Sequence, residues 1–411
     1  MVQNELIPHL FRTEYSKIVA VLCKTYGLAS MEQAEDFVSE SFLKAAETWK
    51  LKGIPEQPTA WLYRVAKNNA KDYFRRAQHY KSKIESEFLN DGAPPETLEI
   101  DLSENNIHDS QLQMLFAVCN SVYANEAQIA LALKILCGFG IEEIAQAFLT
   151  TKQTINKRLY RAKEKLREQK VKLTFSVDQL TDERMDNVLT ILYLLFNEGY
   201  YSATDAQTIR KEFCYEAMRL LHILTEHPLT SQPKVNALMA LFCFHSSRFN
   251  ARINHSGEQI LYEHQDAEQW DMELIDMGQF YLNLSADGEQ LTKYHLEAMI
   301  AFWHTQKQVE TTQKWHQILQ LYNRLLQVEY SPVTALNRTY ALAMAEGKQV
   351  AIKEALKIDL KDHHLYHSLL AHFYHDLDSE KEKYHLEIAL SLTHSPTDKR
   401  LLKAKLREFN A

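Results

Sequence analysis

Glycine and proline are scarce in this chain, which has ten Gly and nine Pro among its 411 residues. Helix-favouring residues such as Leu, Ala, Glu, Lys and Gln are plentiful, so the composition predicts an all-α fold. No apolar run is long enough to cross a membrane, and the N-terminal residues lack the apolar core of a signal peptide. The sequence therefore predicts a cytoplasmic protein without a membrane partner.

Motifs that hold metals or nucleotides are also missing from the sequence. Its five cysteines include no CxxC pair, which favours scattered reduced thiols over disulfides or a zinc site. It contains neither GxGxxG nor GxxxxGK[ST], so nucleotide hydrolysis has no support. We therefore expect no metal, no cofactor and no catalytic residue.

Charge is distributed unevenly along the chain, whose net charge is −8. Residues 1–177 carry 23 basic and 22 acidic side chains, whereas residues 178–411 carry 23 and 32. The basic residues of the first part form two blocks, 61–83 with seven cations and 151–172 with nine. Between them, residues 84–107 carry seven acids and no Lys or Arg, which is typical of a linker.

The first basic block follows an amphipathic helix in the predicted first domain, residues 1–83. Phe37, Phe42, Leu43 and Trp49 have the spacing of one apolar face. The block itself interleaves cations with aromatic residues, Trp61, Tyr63, Tyr73 and Phe74. Such a mixture suits single-stranded nucleic acid, because bases stack on rings while cations follow phosphates. The alternative is an amphipathic helix whose aromatic rings lie in the core.

The second basic block has the pattern of a helix-turn-helix. A short helix begins at Ile141, and Thr150 or Thr151 can cap a second helix. Ile155, Leu159, Ala162 and Leu166 recur at spacings of four, three and four, which predicts a buried face. The side chains left facing outward are Gln153, Asn156, Lys157, Tyr160, Arg161 and Lys163. An exposed cationic helix of this kind fits the major groove of DNA, although a plain helical hairpin stays possible.

The order of these blocks resembles the extracytoplasmic-function group of bacterial RNA polymerase sigma factors. "AEDFVSESFLKAAETW" resembles the group's polymerase-binding helix, and "WLYRVAKNNAKDYFRR" resembles the region that melts and reads the downstream promoter element. "EEIAQAFLTTKQTINKRLYRAKEKL" is similar to the helix-turn-helix that reads the upstream element. The resemblance covers residues 1–172 and departs from many members at Leu149, in the turn.

The resemblance assigns expected roles to individual residues. The residues expected on core polymerase are Glu35, Asp36, Glu40 and Phe42. At the downstream element, Trp61, Arg64 and Lys67 would support the melted strand, Asn68 and Asn69 would lie in a loop that captures a flipped base, and Arg75 and Arg76 would hold phosphates. The residues expected at the upstream element are Gln153, Thr154, Asn156, Lys157, Arg158, Tyr160 and Arg161.

The pattern of the C-terminal part, residues 178–411, predicts a series of helices. Its last segments resemble tetratricopeptide repeats, with Ala371, Tyr374, Ala389 and Leu390 near the packing positions. The segment also resembles the C-terminal domain of a sigma subgroup that carries a long extension. Helical repeats bind partners on a concave face, so we expect a protein partner and a regulatory role.

Two catalytic alternatives have little support. His363 and His367 have the i,i+4 spacing of metal ligands, but no further ligand pattern accompanies them. Glu198 lies in an apolar context, where a structural glutamate is the more ordinary interpretation.

The sequence thus predicts a non-enzymatic sigma factor that binds core RNA polymerase and promoter DNA. Its domains are region 2 (1–83), an acidic linker (84–107), region 4 (108–172) and a C-terminal helical-repeat domain (178–411). Two alternatives are a repeat-based protein–protein adaptor and a DNA-binding regulator that never contacts polymerase.

Overall fold

The fold of the chain is known from a computed structural model. It describes residues 3–86, 100–148, 150–168, 181–200, 210–252, 260, 262–306, 311–393 and 396–409. These residues form eighteen α-helices, short 3-10 turns, one π-helical segment (Ala132–Leu136) and no β-strand, so the all-α fold is as the composition predicts. None of the helices in these ranges is apolar over a length that would span a bilayer.

The chain divides into two compact units, Met1–Leu194 and Leu195–Ala411. The helices that begin in the first unit are α1 (Gln3–Tyr26), α2 (Met31–Lys52), α3 (Pro58–Ser86), α4 (Glu104–Val118), α5 (Asn125–Leu131), α6 (Ile141–Ala147), α7 (Lys152–Glu168) and α8 (Asp182–Tyr200).

Aromatic contacts fasten the first three helices together. The ring centroids of Trp49 on α2 and Trp61 on α3 are 5.5 Å apart, edge to face. Tyr26 at the end of α1 stacks on Phe74 of α3, with ring centroids 3.9 Å apart. Aromatic pairs with these geometries contribute beyond the area that they bury. The result is a domain in which α1, α2 and α3 all pack on one another.

The helices around the predicted linker extend beyond the bounds expected from sequence. α3 continues to Ser86, and α4 begins at Glu104, where the Ser103 hydroxyl accepts a hydrogen bond from Asn106 N at 3.4 Å. Serine at an N-cap satisfies an otherwise unpaired helix donor, which is why the helix starts before the expected edge at 108. Residues 87–99, most of the predicted linker, lie outside the described residues.

The beginning of α8 packs in the first unit. Asn187 Nδ2 donates to Cys119 O and to Gln128 Oε1, both at 2.9 Å. The boundary between the units falls after Leu194, inside α8. The predicted edge at 178 lies outside the described residues. Polar contacts to a distant segment leave no periodic signal, so the sequence did not reveal this division.

The second unit is a series of helices that pack on their neighbours in chain order, for example α13 on α14 and α16 on α17. Its further helices are α9 (Lys211–Glu226), α10 (Pro233–Ser246), α11 (Met272–Leu284), α12 (Lys293–Thr305), α13 (Thr311–Val328), α14 (Pro332–Glu346), α15 (Lys348–Ala355), α16 (His364–Tyr374), α17 (Ser379–Leu392) and α18 (Pro396–Glu408). Almost every residue of α10 is buried, so this helix forms the centre of the unit's first half.

Candidate nucleic-acid interface

The two helices of the predicted helix-turn-helix are α6 and α7. Thr151 caps α7, because its hydroxyl accepts a hydrogen bond from Thr154 N at 3.1 Å. Lys152 Nζ lies 2.8 Å from Glu142 Oε1 and so joins the start of α7 to α6. The predicted apolar face of α7 is confirmed: its buried residues are Ile155, Leu159, Ala162 and Leu166. Leu149, the departure in the turn, lies outside the described residues.

The outward face of α7 presents a continuous polar and cationic surface. Exposed side chains on it are Gln153, Thr154, Asn156, Lys157, Tyr160 and Arg161. Four of them, Asn156, Lys157, Tyr160 and Arg161, line a shallow depression of about 250 Å³. Amide and guanidinium groups arranged along one exposed helix face can reach base edges in a major groove.

Two cations of α7 are only partly exposed. Arg158 is half-buried, and its guanidinium carbon lies 5.8 Å from the centroid of the Phe148 ring. The prediction that Lys163 faces outward is wrong, because its Nζ lies 2.5 Å from Glu35 Oε2 on α2. Only 14% of the Lys163 side chain is exposed, so it belongs to the contact between α7 and α2.

The exposed surface of α3 carries the other candidate DNA contacts. Arg64, Asn68, Arg75 and Arg76 are exposed, and Arg75 pairs with Asp72 at 3.0 Å. Two expected contacts are partly covered instead. Trp61 is half-buried against Trp49, and Lys67 Nζ donates to Ile100 O at 2.7 Å.

The expected base-capturing loop is not a loop in the structure. Asn68 and Asn69 lie in the middle of α3, because no Gly or Pro interrupts that stretch of helix. Asn69 is also engaged, since its Nδ2 donates to Glu40 Oε2 at 3.2 Å and its Oδ1 accepts from Lys44 at 3.0 Å. Asn68 is therefore the member of the pair whose side chain is open to a ligand.

Most aromatic residues of α3 serve the core, as the amphipathic-helix alternative expects. Tyr63 is buried and its hydroxyl donates to Glu14 Oε2 at 3.1 Å; burial raises the pKa of this phenol, and Glu14 raises it further. Phe74 stacks on Tyr26. Tyr73, 46% exposed, is the aromatic residue of this group that most faces solvent. A stacking platform of several rings is thus not present on the described surface of α3.

The acidic helix α2 has a different exposed face from the predicted one. Asp36 and Glu40 are exposed, whereas Glu35 and Phe42 are buried at 8% and 5% exposure. Leu43 was expected in the apolar face and is instead 62% exposed. Phe42 packs against Phe11 in the core, with ring centroids 5.1 Å apart. In this conformation Asp36, Glu40 and Leu43 are among the side chains that α2 exposes to a partner.

An ion-pair contact joins this acidic helix to α7. Besides the pair between Glu35 and Lys163, Glu32 Oε2 lies 2.6 Å from Arg167 Nη2. The first pair is the more buried, with 11% of the Glu35 side chain exposed. Because the partners are 128 residues apart in sequence, no local pattern could have indicated the contact.

The histidine and glutamate alternatives have no catalytic geometry. His363 Nδ1 accepts from Leu365 N at the start of α16, and His367 Nδ1 contacts His385 Nδ1 at 2.9 Å. No group of three potential ligands for a metal occurs in the described part of the chain. Glu198 is half-buried; burial raises the pKa of its carboxyl, and Arg210 partly offsets the rise.

Three family models match the chain. They are Sigma-70 region 2 over residues 10–80, Sigma-70 region 4 over residues 125–166, and a family of unknown function (DUF6596) over residues 184–286. The first two matches contain α2, most of α3, the whole of α6 and α7 up to Leu166.

The chain is also similar to curated proteins. An uncharacterised protein of Rhizobium meliloti is 30% identical over 345 residues, which cover 83% of this chain and 81% of that protein. The ECF RNA polymerase sigma-E factor of Salmonella typhimurium is 30% identical over 162 residues, 38% of this chain and 82% of that factor. The factor of the same name from Haemophilus influenzae is 26% identical over 159 residues, 38% of this chain and 83% of the factor. No solved structure matches the chain.

Proposed function

The chain belongs to the extracytoplasmic-function group of RNA polymerase sigma factors, and we propose that three of its surfaces have separate binding roles. α7 reads the upstream promoter element, α3 reads and holds the downstream element, and α2 binds core polymerase. The protein performs no chemistry of its own and acts in the bacterial cytoplasm, where polymerase and DNA are. The observation that carries the proposal is the exposed polar face of α7 above a fully buried apolar face.

The upstream reader uses the exposed residues of α7. Asn156 and Arg161 are suited to base edges, because amide and guanidinium groups make bidentate hydrogen bonds there. Lys157 supplies a phosphate contact, which positions the helix without reading sequence. Tyr160 donates to Glu164 Oε1 at 3.0 Å, so its ring is held in place on the DNA-facing side. Arg158 braces Phe148 and has a supporting role.

The downstream reader uses the exposed residues of α3. Arg75 and Arg76 hold duplex phosphates, and Arg64 lies nearer the melted strand. Asn68 is the residue that hydrogen-bonds a base, since Asn69 is engaged by Lys44 and Glu40. Trp61 and Lys67 stabilise this helix from behind through Trp49 and Ile100.

Polymerase binding requires α2 to become accessible. Asp36 and Glu40 are open to a partner, but Glu35 is held by Lys163. We propose that the described conformation is a closed one, in which α7 covers part of the polymerase-binding helix. Separation of α7 from α2 would then expose Glu35 to polymerase and free α7 to follow the upstream DNA.

The second unit regulates this activity, and its helical series resembles tetratricopeptide repeats. Ala371 and Ala389 are buried at the contact of α16 and α17, and Tyr374 and Leu390 are partly buried there. Residues 195–411 have a net charge of −6, from 22 basic and 28 acidic side chains, so nucleic acid is a poor ligand for them. A protein partner or a small ligand is the expected input.

Binding experiments separate this proposal from its alternatives. Labelled full-length protein is titrated with core polymerase, and promoter fragments are then added to the protein alone and to the complex. A sigma factor binds polymerase and gives specific DNA binding that depends on it. Equal DNA specificity without polymerase would favour an independent regulator, and absence of both interactions would favour an adaptor.

A truncation series tests the regulatory role. A chain ending at Ser176 removes the C-terminal domain as first predicted, but it also removes the part of α8 that Asn187 fastens to Cys119. A chain ending at Leu194 keeps that part and is the matched control. Altered transcription in both chains, relative to full length, supports regulation; full-length activity in the chain ending at Leu194 contradicts it.

A further inference from the structure

The second unit contains a cluster of buried cations. Arg248, Arg252 and Lys314 are 7%, 8% and 4% exposed. Arginine and lysine are almost never this buried unless an anion pairs with them. These residues lie outside the two sigma regions, so the reading of promoters does not explain them.

Aromatic rings and neutral oxygens contact the cations. The Arg248 guanidinium carbon is 5.6 Å from the Tyr262 ring centroid, and Lys314 Nζ is 2.8 Å from the Tyr262 hydroxyl. That hydroxyl donates to His304 O at 2.8 Å. Arg252 lies over the Tyr200 ring, 4.0 Å from its centroid. Ring faces attract cations, but they do not neutralise them.

Two histidines complete the cluster without balancing its charge. Burial lowers the pKa of His245 well below the ordinary value, and the charges of Arg248, Arg252 and His304 lower it further. The pKa of His304 is lowered well below its ordinary value by burial and by the charges of Arg248 and Lys314. Both histidines are therefore neutral at physiological pH, and the charged groups among the described residues that act on them are cations.

Several polar atoms of the cluster lack a protein partner. In the described part of the chain, Arg248 Nε and the Nδ1 atoms of His245 and His304 are buried without a hydrogen bond. A buried polar atom that stays unsatisfied destabilises the native state, because it has lost its hydrogen bonds to water. Arg252 and Lys314 make further interactions, whereas no carboxylate partner of Arg248 occurs among the described residues.

Two acidic residues in the described segment that follows the cluster's arginines cap helices. The Asp271 carboxylate accepts from Leu274 N at 3.1 Å and caps α11. The Asp266 carboxylate accepts from Glu268 N at 3.0 Å and caps a 3-10 turn. Neither serves as the counter-ion that a buried guanidinium requires.

We propose that this cluster binds a small oxyanion, the phosphate or carboxylate group of a small molecule. Arg248 supplies the paired N–H donors that such a group accepts, and Arg252 and Lys314 add positive potential. Neutral His245 and His304 add ring N–H donors without further charge. A bound anion would supply Arg248 with a counter-ion and stabilise the second unit, so the chain would respond to a ligand of its own. The site does not depend on which surfaces of the first unit contact DNA or polymerase.

Thermal unfolding of the full-length chain tests the site. The probes are inorganic phosphate and succinate, each added to sodium chloride at constant ionic strength and pH. At least one probe is expected to raise the midpoint saturably, because a ligand that binds only the native state stabilises it. A response to one probe alone identifies the preferred group. No saturable rise with either probe overturns the proposal.

Variants distinguish this site from the basic face of α7, which also attracts phosphate. Arg248→Met is expected to weaken the response at least about tenfold, since a charge-assisted bidentate contact is lost. In sodium chloride alone this variant is expected to have an unfolding midpoint no lower than that of the parent, because an unpaired buried charge is removed. Arg324→Met changes an exposed arginine of the same unit and is the matched control.

Two results of the variant experiments would contradict the anion site. An unchanged response in Arg248→Met would assign binding to another surface and overturn the proposal. If Arg248→Met does not fold, Arg248→Lys is used in its place; it keeps the charge but lacks the planar fork. That variant is expected to retain a weakened response, and a response equal to the parent's would also contradict the proposal.

Discussion

Replacing Lys163 by Gln should make the protein bind core polymerase more tightly. The change removes the cation that holds Glu35, and it leaves the proposed DNA-facing side of α7 untouched. Breaking a buried ion pair by removing one partner costs about 3–5 kcal/mol. The pair here is 14% and 11% exposed, and Gln keeps a hydrogen-bond donor, so we expect a loss of about 2 kcal/mol from the closed conformation.

That loss translates directly into apparent affinity. A partner that binds only the open conformation gains affinity in proportion to the open fraction. A change of about 2 kcal/mol therefore predicts up to about thirtyfold tighter polymerase binding. The second pair, Glu32 with Arg167, is 46% and 32% exposed and should contribute much less. Arg167→Gln is accordingly expected to have a small effect of the same sign.

The assay is fluorescence anisotropy of labelled full-length protein titrated with core polymerase. Lys165→Gln removes an exposed cation of the same helix and is the matched control. Circular dichroism and urea unfolding establish that both variants are folded. Polymerase affinity of Lys163→Gln equal to or below that of the control would refute the closed-conformation proposal.

Three further predictions concern the two readers and the second unit. Arg161→Ala should weaken upstream-element binding and reduce the slope of log affinity against log salt by about one if Arg161 also neutralises a phosphate; an unchanged slope and affinity would remove it from the interface. Asn68→Ala should reduce base discrimination at one downstream promoter position by roughly ten- to a hundredfold without loss of polymerase binding. Asn69→Ala should cause a loss that is less specific to that one promoter position. Burial and the neighbouring His367 lower the pKa of His385 to about 4, so the unfolded chain binds more protons between about pH 4 and 6.5, and stability should fall as pH drops through that window. His385→Gln should flatten this fall in urea midpoints, and an identical pH profile would contradict the assignment.

Local patterns predicted the parts of the site that depend on a single helix. The spacing of Ile155, Leu159, Ala162 and Leu166 indicated which side of α7 is buried, because one helix face repeats every three or four residues. The cap at Thr151 followed from side-chain chemistry in the same way. The all-α fold that the composition predicted is confirmed by the structure.

The parts that failed depend on contacts between distant segments. Lys163 was expected on the outer face, but Glu35 on α2 draws it inward. Leu43 was expected in the core and is exposed, because α2 has a narrower buried face than its apolar residues suggest. The same limit applies to Asn69, whose partners lie on α2, and to the half of α8 that belongs to the first unit. Tertiary contacts of this kind are not encoded in the spacing of one segment.

The most direct measurement of sigma activity is transcript mapping in a purified system. Core polymerase transcribes fragmented genomic DNA of the source organism with and without the full-length protein, and the 5′ ends of the transcripts are sequenced. We expect new start sites that share two upstream sequence elements at a fixed spacing, and their loss when Asn156 and Arg161 are both replaced by Ala. Identical start sites with and without the protein, at concentrations where it is bound to polymerase, would contradict the proposed function.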